Sequence, residues 1–310
     1  MFWRNNSVVT EFILLGITTQ PKTQVIIFGV VLIVYFIILF ANSLIIFLTI
    51  TNASLHKPMY FFLTNLSFLD ICYSSSTVPR MLKDLMSAKK TISFTECTIQ
   101  MYISFSLGEI ECILLAIMAY DRYIAICYPL HYSTIINWST CIKMAAGVWI
   151  CGFLLSIFHV ALTLNGVLCE NNEINHFVCE IPEILSLQCE NLFLIELTIF
   201  LVGAIILMTP VTLIGVSYAK IILTILKMTS SAGQRKAFST CGSHMIVVII
   251  YYGSCMASYM KPRSHSSPGT DKMIAIFYLI VTPMLNPLIY SLRNKDIKVA
   301  MKNLRVSKKP

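Results

Sequence analysis

The chain has 310 residues, 56% of them hydrophobic and 12% charged, with a mean hydropathy of +0.75. A soluble domain carries about a quarter charged residues, so this composition excludes an ordinary soluble fold and indicates a membrane protein. The formal net charge of +8 resides in loops and the tail, with no basic stripe interleaved with aromatics, which suits a lipid headgroup surface and predicts no nucleic-acid partner.

In chain order, residues 1–24 contain no secretory h-region. Phe12 to Gly16 is too short for one, so the first long helix must direct insertion. Asn5 opens an Asn-Asn-Ser glycosylation sequon. Seven apolar stretches then meet the requirement of ~20 residues per span. They run roughly Val25–Ile50, Met59–Val78, Ile99–Ile124, Ile142–Leu164, Leu192–Leu226, Phe238–Met260 and Met273–Leu292. The expected architecture is an all-α bundle of seven transmembrane helices over 25–292, followed by a tail over 293–310. Of the 23 Lys and Arg residues, 14 fall on the tail side and 9 on the amino-terminal side, which places the amino terminus outside the cell. The segment from Asn165 to Asn191 agrees, having five glutamates and no Lys or Arg. Cys97, Cys169, Cys179 and Cys189 all lie on that oxidising side, and four cysteines allow three pairings. Arg293 to Lys302 interleaves charge with Ile297, Val299 and Met301, predicting a short cytoplasmic amphipathic helix against membrane lipid.

Charged residues inside the spans carry the functional signal. Asp121 and Arg122 stand side by side at the foot of the third span, where each offsets the other's desolvation and the pair is a candidate switch. Asp70 and Glu111 lie mid-span, level with Asn42 and Asn286. Such a set could hold a small hard cation such as Na⁺, or two acids could share a proton. No other cofactor is expected. Ser104, Gly108, Glu111, Leu115 and Arg122 share one stripe of the third helix. Its outer half, flanked by Phe105 and Glu109, reads as one wall of a ligand cavity. Val202 and Ile206 of the fifth span, Tyr252, Cys255 and Tyr259 of the sixth, and Ile276 and Leu279 of the seventh supply the opposing walls. An ionised Glu109 would favour an amine, and a protonated one would donate to an ether, alcohol or carbonyl. No nucleophile–base pair, phosphate loop or metal spacing argues for an enzyme. A transporter would be expected to show paired repeats with broken helices, and the seven unequal spans show no such pairing.

Five strings name a resemblance: LHKPMYFFLTNLSFLD (Leu55–Asp70), MAYDRYIAICYPLHY (Met118–Tyr132), Ser217-Tyr218, KAFSTCGSH (Lys236–His244) and PMLNPLIYSLRN (Pro283–Asn294). In order and spacing the chain resembles the vertebrate odorant receptors of the rhodopsin-like G-protein-coupled class, and more weakly their class II branch. The family usually has glycine where Ala41 stands and aspartate where Glu180 stands. The resemblance implies a Cys97–Cys179 bridge and suggests Cys169–Cys189 as a second. It implies an activation switch of Asp121, Arg122, Tyr218, His244, Asn286, Pro287 and Tyr290, and it favours sodium at Asp70 and Glu111. It further implies a receptor in the plasma membrane that binds a small volatile odorant and activates a heterotrimeric stimulatory olfactory-type G protein, raising cyclic AMP. A related rhodopsin-like receptor for another small lipophilic or amine ligand is the runner-up.

Overall fold

The computed structural model describes residues 9–169, 172–189, 193–260 and 267–306, so Asn5 and its sequon lie outside the described residues. Helices α1 (Pro21–Thr51) and α2 (Pro58–Leu85) each open on a proline, whose missing N–H has no partner to lose in a first turn. Helix α3 (Phe94–Cys127) opens with a capping box: Ser93 Oγ accepts from the Glu96 N–H at 3.2 Å, and the Glu96 carboxylate accepts from the Ser93 N–H at 3.1 Å. Asn137 caps α4 (Trp138–Leu164), and Ser230 caps α6 (Ser231–Tyr259), which follows α5 (Phe193–Leu226). Helix α7 is composite, an α-helix over Pro268–Ile276, a π turn over Phe277–Val281 and an α-helix over Thr282–Arg293. Helix α8 (Lys295–Val306) is amphipathic, burying Ile297 and Ala300 three residues apart while Asp296 and Lys298 stay exposed; Val299 is exposed as well. Several helices outrun their apolar stretches because polar caps, not the end of hydrophobicity, stop them.

Among the described residues, six helices are long and apolar enough to cross a membrane, and α2 is not one of them. Met59–Val78 is expected as a span like the others, but its second half is polar, and Asp70, Ser74 and Thr77 are fully buried in a helix that packs against α1, α3 and α7. Helix α2 completes the seven-helix bundle with its polar residues facing protein, where bundle partners replace water.

One end of the bundle carries a small sheet that alternation over so few residues did not announce. Strand β1 (Glu11–Leu14) lies between β2 (Thr91–Ser93), which is antiparallel to it, and β3 (Glu173–Ile174), which is parallel. Phe12 and Leu14 point into an apolar cluster with Ile92, Ile174 and Ile184. Two disulfides, Cys97–Cys179 and Cys169–Cys189, staple the same end. Arg80 adds a clamp, donating to both oxygens of Asp84 (3.1 and 3.0 Å) and to the Thr91 carbonyl of β2.

Helix α3 is central and touches α2, α4, α5 and α6. Its approach to α4 depends on Gly152, where a Cβ would stand 2.3 Å from Ile110 Cγ1 and 3.2 Å from the Ser106 carbonyl. Gly152→Ala is therefore expected to lower stability by ~1–3 kcal/mol. Gly147→Ala, which meets nothing within 4 Å, should not lower it. Thermal unfolding of the detergent-purified chain distinguishes the two.

Candidate functional site

The middle of the bundle is held by one amide. Asn286 Nδ2 donates to Asp70 Oδ1 and Oδ2 at 3.0 and 3.2 Å and reaches Glu111 Oε1 at 3.4 Å, joining α7 to α2 and α3. Pro287 lacks an N–H and so leaves the Pro283 carbonyl, four residues earlier, without its helical donor. Asn42 Nδ2 fills that vacancy from α1 at 3.1 Å. Asn42 Oδ1, Glu111 Oε2 and Asn286 Oδ1 are buried with no partner. All are oxygens, the donor set a hard cation or water prefers. No cluster of three or more His, Cys, Asp or Glu side chains capable of holding a metal occurs among the described residues.

At the end of α3 away from the disulfides, the expected Asp121–Arg122 pair is not formed. Neighbours on a helix point about 100° apart. Asp121 turns to the segment after α3 and accepts from the Tyr132 hydroxyl at 2.7 Å. Arg122 turns into the bundle, 6% exposed, with Nε and Nη1 unpartnered. Beside it the Tyr218 hydroxyl donates to His244 Nδ1 at 2.9 Å, and His244 Nε2 donates to the Leu115 carbonyl at 3.1 Å. The carbonyl can only accept, which fixes the proton on Nε2. Tyr290 is buried with its hydroxyl unpartnered. Tyr218, His244 and Tyr290 all lie within electrostatic reach of Arg122.

The His244 bond belongs to a series. Tyr251 donates to the Gly108 carbonyl and Tyr252 to the Cys112 carbonyl, each at 2.7 Å. Residues 108, 112 and 115 recur at steps of four and three, so α6 is laced along one stripe of α3.

The expected cavity walls are partly reassigned. Glu109 does not face α5, α6 or α7. It accepts from Ser156 Oγ at 2.7 Å and lies 3.3 Å from His159 Nδ1, both on α4. Its position one residue past Gly108 rotates it off the α6-facing stripe. Ser104 is bonded to Ser76 of α2 at 3.2 Å. Gly108 has no free space above it, because a Cβ would stand 3.3 Å from the Tyr73 hydroxyl. Phe105 packs edge-on against His159 (5.0 Å between ring centroids) and Tyr259 (5.9 Å), and Tyr259 lies 6.3 Å from Tyr278. Cys255 and Leu279 are buried, while Val202, Ile206 and Ile276 are half-buried. A groove of about 520 Å³ opens on α5 between Leu201 and Leu213, but its lining belongs to the outward face of that helix alone.

The loop between α4 and α5 adds a residue outside the expected walls. Glu180 follows Cys179 directly, and Tyr278 of α7 donates to its two carboxylate oxygens at 2.8 and 2.7 Å. Burial pushes this carboxyl up to about 7. Nearby His176 is also buried, and burial pushes its imidazole down to about 4. Lys272 of α7 donates to Asn175 Oδ1 at 2.8 Å, a second tie between loop and helix.

A bundle laced in this way, with an unpaired arginine at one end and a stapled loop at the other, has the organisation of a seven-helix receptor. The olfactory receptor family model matches residues 31–308. Putative olfactory receptor 2B3 of Homo sapiens is 48% identical over 98% of this chain and 97% of its own length. Olfactory receptor 13D1 of Homo sapiens is also 48% identical, over 97% of this chain and 87% of its own. Olfactory receptor 5AR1 of Mus musculus is 46% identical over 99% and 98%. The chain belongs to the olfactory receptor family, a family of non-enzymatic G-protein-coupled receptors in the membrane.

His176 gives the loop a pH dependence of definite sign. Its folded-state value is depressed, so its contribution is complete above the ordinary value of 6.5 and is lost as pH falls through about 4. The loss is on the order of 3 kcal/mol. Hydrogen exchange over residues 173–179, compared at pH 6.5 and 4, should show wild type losing protection relative to His176→Gln.

Proposed function

We propose that this chain is an odorant receptor of the plasma membrane, with its amino terminus and disulfides outside. It takes small, largely apolar odorants among α3, α5, α6 and α7 and activates a stimulatory olfactory-type G protein, raising cyclic AMP. The observation that carries the reading is the lacing of α6 to α3 beside the unpaired, buried Arg122. A cation in that state is costly to hold and lies ready for a partner. Outward displacement of α6 would break the His244–Leu115 bond and open a groove beside Arg122 and Tyr218. A ligand drives that change only through its preference for the opened packing. Tyr290, Asn286 and Pro287 connect this end to the polar centre, and Asp121, held by Tyr132, positions the segment after α3. Glycosylation at Asn5 and lipid contact by α8 complete the expected topology.

The oxygens of Asp70, Glu111, Asn286 and Asn42 fit Na⁺, and the three unpartnered acceptors are the observation in its favour. When bound, the ion supplies positive charge that lets both acids stay ionised in the bundle interior.

Cells expressing the chain and screened with a varied volatile panel should raise cyclic AMP; uptake without that signal would indicate a transporter instead. Arg122→Ala at equal surface expression is expected to abolish the agonist response, and retained signalling would remove Arg122 from the switch. For the cation, the purified chain should melt a few degrees higher in sodium chloride than in equimolar choline chloride. Asp70→Asn should erase that difference.

A further inference from the structure

We propose that Glu180 anchors a subsite for a protonated amine, held between its carboxylate and the rings of Phe105, Tyr259 and Tyr278. The inference rests on the receptor reading above and narrows its ligand class.

The carboxylate is built into place. Cys179 is bonded to Cys97 at the start of α3, so the backbone of Glu180 is tied to that helix. Glu180 precedes the one-turn helix Ile181–Ser186, but its side chain caps none of the N–H groups there. It turns inward and is only 9% exposed. A carboxylate offers about four acceptor positions. The hydroxyl of Tyr278 is the one donor it meets among the described residues, and no ion pair reaches it there. The ionisable groups acting on it are Glu183 from its own loop, the phenols of Tyr73, Tyr259 and Tyr278 from α2, α6 and α7, and the Cys255 thiol of α6, none of them a cation. A buried acid with spare acceptors and no counter-ion calls for a cationic donor from outside the chain.

The surroundings suit an alkylammonium group in particular. Phe105 and Tyr259 meet edge to face at 72°, and Tyr278 lies beyond at 41° to Tyr259, so three aromatic rings form a continuous cluster whose last member is hydrogen-bonded to the Glu180 carboxylate. Aromatic rings attract a cation through their faces and offer apolar contact to an alkyl chain. The other acid at this level, Glu109, differs in having a hydroxyl donor, Ser156 Oγ, on one oxygen and the His159 imidazole 3.3 Å from the other, so a group able to carry the balancing charge already stands beside it within the chain. The Tyr278 hydroxyl bridges both oxygens of Glu180 and marks where a ligand N–H would be held. The elevated carboxyl value of about 7 is consistent with an acid awaiting its cation, and an ammonium would hold it ionised.

The test is the melting temperature of the purified full-length chain in detergent, titrated with n-hexylammonium chloride or 1-hexanol. Hexylammonium should stabilise wild type, with apparent affinity rising between pH 6 and 8 as Glu180 ionises. Glu180→Gln, which keeps an acceptor for Tyr278, should weaken the amine about tenfold and leave 1-hexanol unchanged. Tyr278→Phe, which removes the competing donor, should strengthen the amine. Equal amine stabilisation of wild type and Glu180→Gln, or none in wild type, would overturn the subsite. Amine binding that depends on Glu180 but never raises cyclic AMP in cells would preserve the subsite and count against the receptor reading. Cyclic AMP responses to neutral volatiles without amine stabilisation would do the reverse.

Discussion

Lipid offers neither donor nor acceptor, so polar atoms inside this bundle depend on other parts of the bundle for their partners, and an unmatched one is costly to hold. Helix α3 is where most of those obligations meet. Its backbone carbonyls receive three side chains of α6, its Glu111 shares the Asn286 amide with Asp70, and its Glu109 takes up Ser156 and His159. The helix order follows from this requirement as much as from apolar packing. Helix α2, too polar to face hydrocarbon, sits where α1, α3 and α7 can cover it. Asn42 reaches the carbonyl that Pro287 leaves open, so a break in one helix is mended from another.

Much of this was legible in the residues, for definite reasons. Long apolar runs separated by charge mark spans directly, and intramembrane acids such as Asp70 and Glu111 stand out because hydrocarbon tolerates so few of them. What could not be read was direction. Asp121 and Arg122 are neighbours in sequence but point to different partners. Glu109 and Gly108 likewise part ways, so an acid assigned to a ligand wall proves to be a tie between α3 and α4. Strand β1 is not legible in the residues because four of them carry too little alternation to separate a strand from a short apolar loop. The doublet Tyr251-Tyr252 and the acid directly after Cys179 were visible, but nothing local says that their hydroxyls and carboxylate turn inward.

The disulfide end differs in kind from the rest. There the backbone of an amino-terminal strand pairs with two separate loops, and the cluster around Phe12 and Leu14 gives that small sheet its own core. Bonds of the loop to α7 through Glu180 and Lys272 make the lid continuous with the helix that also carries Asn286 and Tyr290. A guest that disturbed the lid would therefore act on the same rod that reaches the polar centre and the far end.

The three α6 donors that meet α3 at residues 108, 112 and 115 have a further consequence. The acceptors lie on successive turns of α3 and the donors, His244, Tyr251 and Tyr252, on one stretch of α6, so α6 cannot release the last without loading the other two. Halfway positions leave phenols or an imidazole stranded in a dry interior and are poorly populated. A contact made by this stripe is a two-position catch, not a dimmer: it resists small pushes, then lets go over a narrow range of force. A sensor built on it would stay silent against background stimulation and still answer fully once tripped.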